Sequence, residues 1–376
     1  MSTAFHGRKV LVYSEASGMA VSFDGPPTAF SRLSTRAARL VLAVTLVAVF
    51  GGAVWAPAPQ APANDGARSG RTEDQGDVAL HQATLERTAR GENYYDAVNV
   101  ELRARRYPTR SIFNWRTPLP VWFMAHMPTP TWGRATLSAI GFAVVVLGFG
   151  LLAAESGRAT AAWGAFLLLT GVLPCFVNGL AVMSELWAGA LIALSVICYG
   201  WRWTAAGQAT AVLALFFREL AAPYWVVCMG LAVRQRQWRD AGRLALGLVA
   251  YLAFYAWHAR EVLARIQPGD AAHATSWIAF GGLPFVLTAV QMNGLLLLLP
   301  MGATVVYLVA AAIGFAGWRS PTAQRAGLTA AAYVAAFAVV GQSFNQYWGS
   351  IIAPLLCLGV AHGPLSLRDL WQRARA

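Results

Sequence analysis

Residues 135–154 read ATLSAIGFAVVVLGFGLLAA, and residues 159–177 read ATAAWGAFLLLTGVLPCFV, with Glu155 and Arg158 in the short polar break between them. The first run holds no charged residue across twenty positions, and about 20 apolar residues span a bilayer as a helix. Similar runs lie at 40–56, 181–200, 205–217, 219–233, 242–258, 294–317, 326–344 and 348–365. The expected fold is therefore all-α: a polytopic transmembrane bundle of about ten spans. The whole chain agrees. Of its 376 residues 57% are hydrophobic and only 12% charged, with a mean hydropathy of +0.48. A water-soluble domain of this size would carry about twice that charged share. The alternating pattern of an outer-membrane barrel is absent.

The net charge of +12 comes almost wholly from arginine, since Lys9 is the sole lysine. Arginine at helix ends accounts for it, and no nucleic-acid partner is implied. Short loops on one side hold Arg158, Arg202, Arg234, Arg236, Arg239, Arg243, Arg319 and Arg325, and the other side's short loops hold Arg260 and Arg265. By the positive-inside rule both termini are cytoplasmic, in a bacterial inner membrane. Residues 1–37 read as a disordered cytoplasmic tail, 38–365 as the transmembrane domain with an outer loop at 57–134, and 366–376 as a second tail. The run Leu40–Ala56 reads as an uncleaved signal anchor. Cys175, Cys198, Cys228 and Cys357 all lie in apolar runs, so neither a disulfide framework nor a thiolate metal site is expected.

Two stretches break the pattern. At 205–233 two apolar pieces of 13 and 15 residues flank Arg218-Glu219. At 1.5 Å per residue each reaches only ~20 Å, which places the charged pair at membrane depth, where irregular backbone needs protein or a wet cavity around it. Pro223 supports a break there. Residues 277–293 read as an interfacial or re-entrant piece.

The long polar loop is where chemistry is expected. It holds eight of the 17 acidic residues. A helix starting at Asp77 would aim Asp77, Leu80 and His81 one way, and Gly91 would end it. Gly91-Glu92-Asn93-Tyr94-Tyr95 and Arg116-Thr117-Pro118-Leu119 then lead back to the membrane.

This order of features resembles the GT-C superfamily of integral-membrane glycosyltransferases, in particular bacterial members without a large soluble C-terminal domain. Three further segments are similar to it: Ser184-Glu185-Leu186-Trp187, Phe217-Arg218-Glu219-Leu220, and Gln346-Tyr347-Trp348 before the Pro354-containing last span. The resemblance covers roughly residues 40–365. It implies transfer of a sugar from a polyprenyl-phosphate carrier to a glycan, lipid or protein acceptor on the outer face, among membrane lipids. It implies Asp77 as general base, with Asp74 second. His81, Tyr95, Arg116, Glu185, Arg218, Glu219 and Tyr347 are the implied substrate-binding residues. No cofactor is fixed by the sequence. A divalent cation would suit the departing phosphate, but Val78 stands where several families carry the second acid of an Asp-Glu pair. The alternatives are a transporter or flippase-like protein using Arg218 and Glu219, or a non-catalytic relative.

Overall fold

The computed structural model describes residues 25–55, 76–272, 276 and 278–376. Among them there are fourteen α-helices: α1 (Thr35–Trp55), α2 (Asp77–Ala89), α3 (Tyr94–Ala104), α4 (Leu119–Ala125), α5 (Pro130–Ser156), α6 (Arg158–Val172) and α7 (Ser184–Gly200), then α8 (Thr204–Phe217), α9 (Ala222–Arg234), α10 (Trp238–Leu263), α11 (Gly282–Val290), α12 (Met301–Gly317), α13 (Pro321–Val339) and α14 (Ala353–Arg375). The only β pairing among the described residues is an isolated bridge between Ile278 and Val340. The protein is a polytopic helical membrane bundle.

Helix ends follow local chemistry. Proline stands in the first turn of α9, α13 and α14, where its missing N–H costs nothing. Gly157, at φ +92°, turns the chain between α5 and α6, a backbone state that a side chain would strain. Segments Thr35–Val54, Thr131–Ser156 and Arg158–Phe176 are long and apolar enough to cross a membrane. A bent pair, the 3-10 segment Ser343–Ile351 and α14, meets the same test with a 64° bend. Helices α7, α8 and α12 are apolar but shorter. Helix α11 has nine residues, too few to span, and Pro300 delays the start of α12 to Met301.

Two helices form the centre. Every residue of α14 from Ala353 to Gly363 is buried, against α12, α6, α1, α13 and α7. Helix α7 is buried from Ser184 to Ala193. Small residues let α12 and α14 meet closely: a Cβ on Gly314 would lie 1.8 Å from the Gly359 carbonyl oxygen. Along α1 the packing is one-sided, and Val47 and Phe50 face outward as lipid-facing side chains would.

The two ends of the described chain meet. The Thr28 N–H donates to Asp369 at 2.7 Å, Arg39 to the Ala374 carbonyl at 2.8 Å, and Arg373 to the Leu33 carbonyl at 2.7 Å. Within the stretches read as tails, Phe30 packs on Leu370, and α14 continues as helix through Arg375. Ala353, at the other end of α14, is ~34 Å away along a 23-residue helix. There α2, α3 and α4 cover the bundle.

Candidate functional site

Four separated segments converge under α2. Asp77 occupies the first turn of α2, where the helix dipole favours a carboxylate, and its Oδ1 accepts from the Tyr107 hydroxyl at 2.5 Å. One turn further on the same face lies His81, buried. Burial and the neighbouring Arg116 lower its pKa to about 4, so the imidazole is neutral at pH 7. Helix α2 is fixed to α3 by Arg87, which pairs with Glu101 at 2.6 Å and Glu92 at 2.9 Å. Helix α3 is capped by Asn93, whose side chain accepts from the Tyr95 N–H at 2.9 Å.

Beneath α2, Arg116 reaches from the turn before α4. Its Nη2 donates to the Tyr347 hydroxyl at 2.9 Å and lies 3.4 Å from Glu185 Oε1. Its own carbonyl accepts from the Tyr94 hydroxyl at 2.6 Å. Burial alone would lower the pKa of Arg116, but Tyr347, Glu185, Glu219 and Asp77 together raise it. Glu185, in the first turn of α7 and 1% exposed, also faces Arg218 Nε at 2.9 Å. That contact is an ion pair without hydrogen-bond alignment. Arg218 is 2% exposed, and its Nη1 pairs with Glu219. The break between α8 and α9 that carries this pair is held by Tyr333, whose hydroxyl donates to the Leu220 carbonyl at 2.6 Å. Irregular backbone at depth is thus satisfied by protein.

One carboxylate therefore bridges two guanidiniums. A buried arginine is costly unless paired; Glu185 holds both Arg116 and Arg218, and Glu219 is a second carboxylate on Arg218. Asp77, His81, Arg116, Asn345 and Tyr347 share a cavity of about 50 Å³. That holds a few waters, whereas ligand pockets run to roughly 300–1,000 Å³, so a sugar requires it to widen. Phe113, 59% exposed, and Phe344 stand in its wall. Among the described residues no group of three or more His, Cys, Asp or Glu is placed to hold a metal ion.

The chain matches no family model and no curated protein. It is similar to the crystal structure of ArnT from Cupriavidus metallidurans in the apo state, with 17% identity and a TM-score of 0.47, over 88% of this chain and 59% of that one. It is also similar to the same protein bound to undecaprenyl phosphate, with 16% identity and a TM-score of 0.48, over 89% and 60% of the two chains. This chain spans about three fifths of the length of those two.

Of the residues singled out in the sequence, Asp77, His81, Arg116, Glu185, Arg218, Glu219 and Tyr347 come together. Asp74 lies outside the described residues. Tyr95 does not join them: its hydroxyl meets His258 Nδ1 at 3.0 Å, and its ring packs edge-on against Trp257 at 5.5 Å. Neighbouring residues on a helix point ~100° apart, so Tyr94 turns toward Arg116 while Tyr95 fastens α3 to α10. Tyr107 joins the site with no sequence signal, from a turn without periodicity. It was findable only through its bond to Asp77.

Proposed function

We infer that this protein is a membrane glycosyltransferase that moves a sugar from a polyprenyl-phosphate carrier to an acceptor hydroxyl on the outer face of the membrane. The observation that carries this reading is a carboxylate, Asp77, lining one cavity with a guanidinium, Arg116, which Glu185 ties to a second, Arg218. A hydroxyl is a poor nucleophile, and a carboxylate within reach can take its proton. The departing phosphate gathers negative charge, and preorganised guanidiniums stabilise it as it forms.

In the transfer, the acceptor oxygen bonds to the anomeric carbon as the bond from that carbon to the phosphate oxygen breaks. The electron pair leaves with the lipid phosphate, the acceptor proton passes to Asp77, and attack opposite the phosphate inverts the anomeric centre. Tyr107 orients the carboxylate of Asp77. His81, neutral, serves as a hydrogen-bonding group and adds no charge. Glu185 is a positioning residue that holds both arginines.

Two observations support this orientation. The termini meet at one end of the bundle, and the short loops on that side carry most of the arginine, which favours the cytoplasm. The site at the other end then faces outward.

The test is turnover of a radiolabelled polyprenyl-phosphate sugar by purified protein, wild type against Asp77→Asn. Transfer by the wild type and its loss in Asp77→Asn, with donor binding kept, is the expected result. Donor binding without transfer in either protein would show a non-catalytic relative, and vectorial movement of the lipid without transfer would favour a transporter.

A further inference from the structure

A second cavity lies on the other side of α2. Its volume is about 620 Å³, more than ten times that of the cavity beside Asp77. Gln82, Leu85, Glu86 and Ala89 line it from α2. At 100° per residue this face is turned about 110° from the one that carries Asp77 and His81. The two cavities share no lining residue, so a molecule in the larger one sits on a different face of α2 from Asp77.

The lining has two parts. Met124, Ala181 and Val182 contribute apolar surface. Arg90, at the end of α2, and Arg134, in the second turn of α5, contribute two positive charges against the single Glu86. Neither arginine forms an ion pair among the described residues. Instead Arg134 donates to Asn178 Oδ1 at 2.9 Å, while Gln82 donates to the Gly179 carbonyl at 3.2 Å. These two bonds run between opposite walls and fix the frame of the cavity.

Its depth in the membrane can be read from its neighbours. Arg134 immediately precedes the apolar run of α5, and Trp132, two residues earlier, is 59% exposed, the position of an interfacial aromatic. Phe176 and Val177 turn outward beside Asn178. The cavity thus lies at headgroup level, with cations above and lipid-facing side chains at its flank.

We propose that this cavity holds the headgroup of an anionic phospholipid, with Arg90 and Arg134 on the phosphodiester and the acyl chains leaving along α5. A zwitterionic headgroup brings no net charge to two guanidiniums without an ion-pair partner among the described residues; an anionic one does, and cations at a membrane surface are drawn to such lipid. The bound lipid braces α2 on a face turned away from Asp77. The proposal does not depend on the transferase reading.

The test uses the purified full chain in neutral detergent micelles carrying phosphatidylglycerol or phosphatidylcholine, followed by thermal unfolding and native mass spectrometry. Binding to the folded state raises the midpoint. Phosphatidylglycerol is expected to raise it and to remain bound in the gas phase, and phosphatidylcholine is not. Arg90→Gln/Arg134→Gln is expected to weaken phosphatidylglycerol binding by about tenfold or more. Ala89→Glu, at an exposed position of α2, places a negative charge in the cavity and carries the test if the double variant does not fold. Arg260→Gln, far out on α10, should leave the lipid response unchanged. Equal responses to the two lipids, or a full response in Ala89→Glu, would overturn the proposal. So would a full response to inorganic phosphate alone, which would make this a free-anion site.

Discussion

Each end of the bundle buries an arginine, and the two are held in opposite ways. Arg218, at the end covered by α2, is 2% exposed and faces two carboxylates, Glu185 and Glu219. Arg325, in the second turn of α13 at the end where the termini meet, is 8% exposed and has no carboxylate partner among the described residues. Its guanidinium lies 3.6 Å above the Tyr199 ring, and its Nη1 is 3.2 Å from Cys228 Sγ. Ion pairs of the first kind are indifferent or costly for stability against apolar packing, and they gain meaning when a further charge arrives. A cation over an aromatic face with a soft sulfur beside it is complete without a ligand. The first arrangement reads as a site and the second as framework, and the two should fail differently when altered.

The largest effect is expected at the end covered by α2 and on turnover alone. Asp77→Asn is nearly isosteric and still accepts the Tyr107 hydrogen bond, but it cannot take a proton. Transfer should fall about 10²–10⁴-fold, roughly 3–5 kcal/mol in barrier, with the thermal midpoint and donor binding unchanged. Near-normal transfer by this variant would remove the general-base role and weaken the contrast between the two ends.

Next comes the buried pair. Arg218→Ala leaves Glu185 at depth with only Arg116 nearby, and breaking a buried pair this way costs about 3–5 kcal/mol. The double variant Arg218→Met/Glu185→Gln removes both charges and should recover much of that stability while remaining inactive. Thermal unfolding and turnover on the same samples separate the two. If the double variant is no more stable than Arg218→Ala, Glu185 is not the partner that matters.

How far this contrast could be read in advance differs from residue to residue. Asp77 and His81 were legible as one face because a helix repeats every 3.6 residues, and Arg218-Glu219 as a break because two apolar pieces were too short to span. The partner was not legible. Glu185 lies 33 positions before Arg218, and only the packing of α7 against the α8–α9 break brings them together. Tyr94 and Tyr95 were one element in the sequence, and the helix sends them to different neighbours. Arg325 was counted with the loop arginines, since a tally of charge beside apolar runs does not register a guanidinium that Pro321 has already led into a helix. Each miss depended on a contact between distant segments, which periodicity does not carry.

The third prediction concerns His81. Its pKa in the folded protein is lowered to about 4, from an ordinary 6.5, by burial and by Arg116. Between pH 6.5 and 4 the unfolded chain therefore binds a proton that the folded chain refuses, and stability falls as pH falls through this window. The full loss is about 3 kcal/mol. His81→Gln should flatten that part of the pH–stability curve and leave the curve above pH 7 unchanged. An identical slope in both proteins would show that other groups carry the acid sensitivity.

The smallest effect is expected at the end where the termini meet. Arg325→Lys keeps the charge but loses the flat guanidinium that stacks on Tyr199 and reaches Cys228. A cation–π contact of this kind is worth about 0.5–2 kcal/mol, so the thermal midpoint should drop modestly while turnover per folded molecule stays at the wild-type value. Tyr199→Phe keeps the ring and should cost less than Tyr199→Leu, which removes the face on which Arg325 rests. The order of these three variants tests whether stacking holds the cation. A fall in turnover for Arg325→Lys comparable with that of Asp77→Asn, at unchanged stability, would mean that Arg325 belongs to the chemistry, and the division of the bundle into a reactive end and a framework end would not stand.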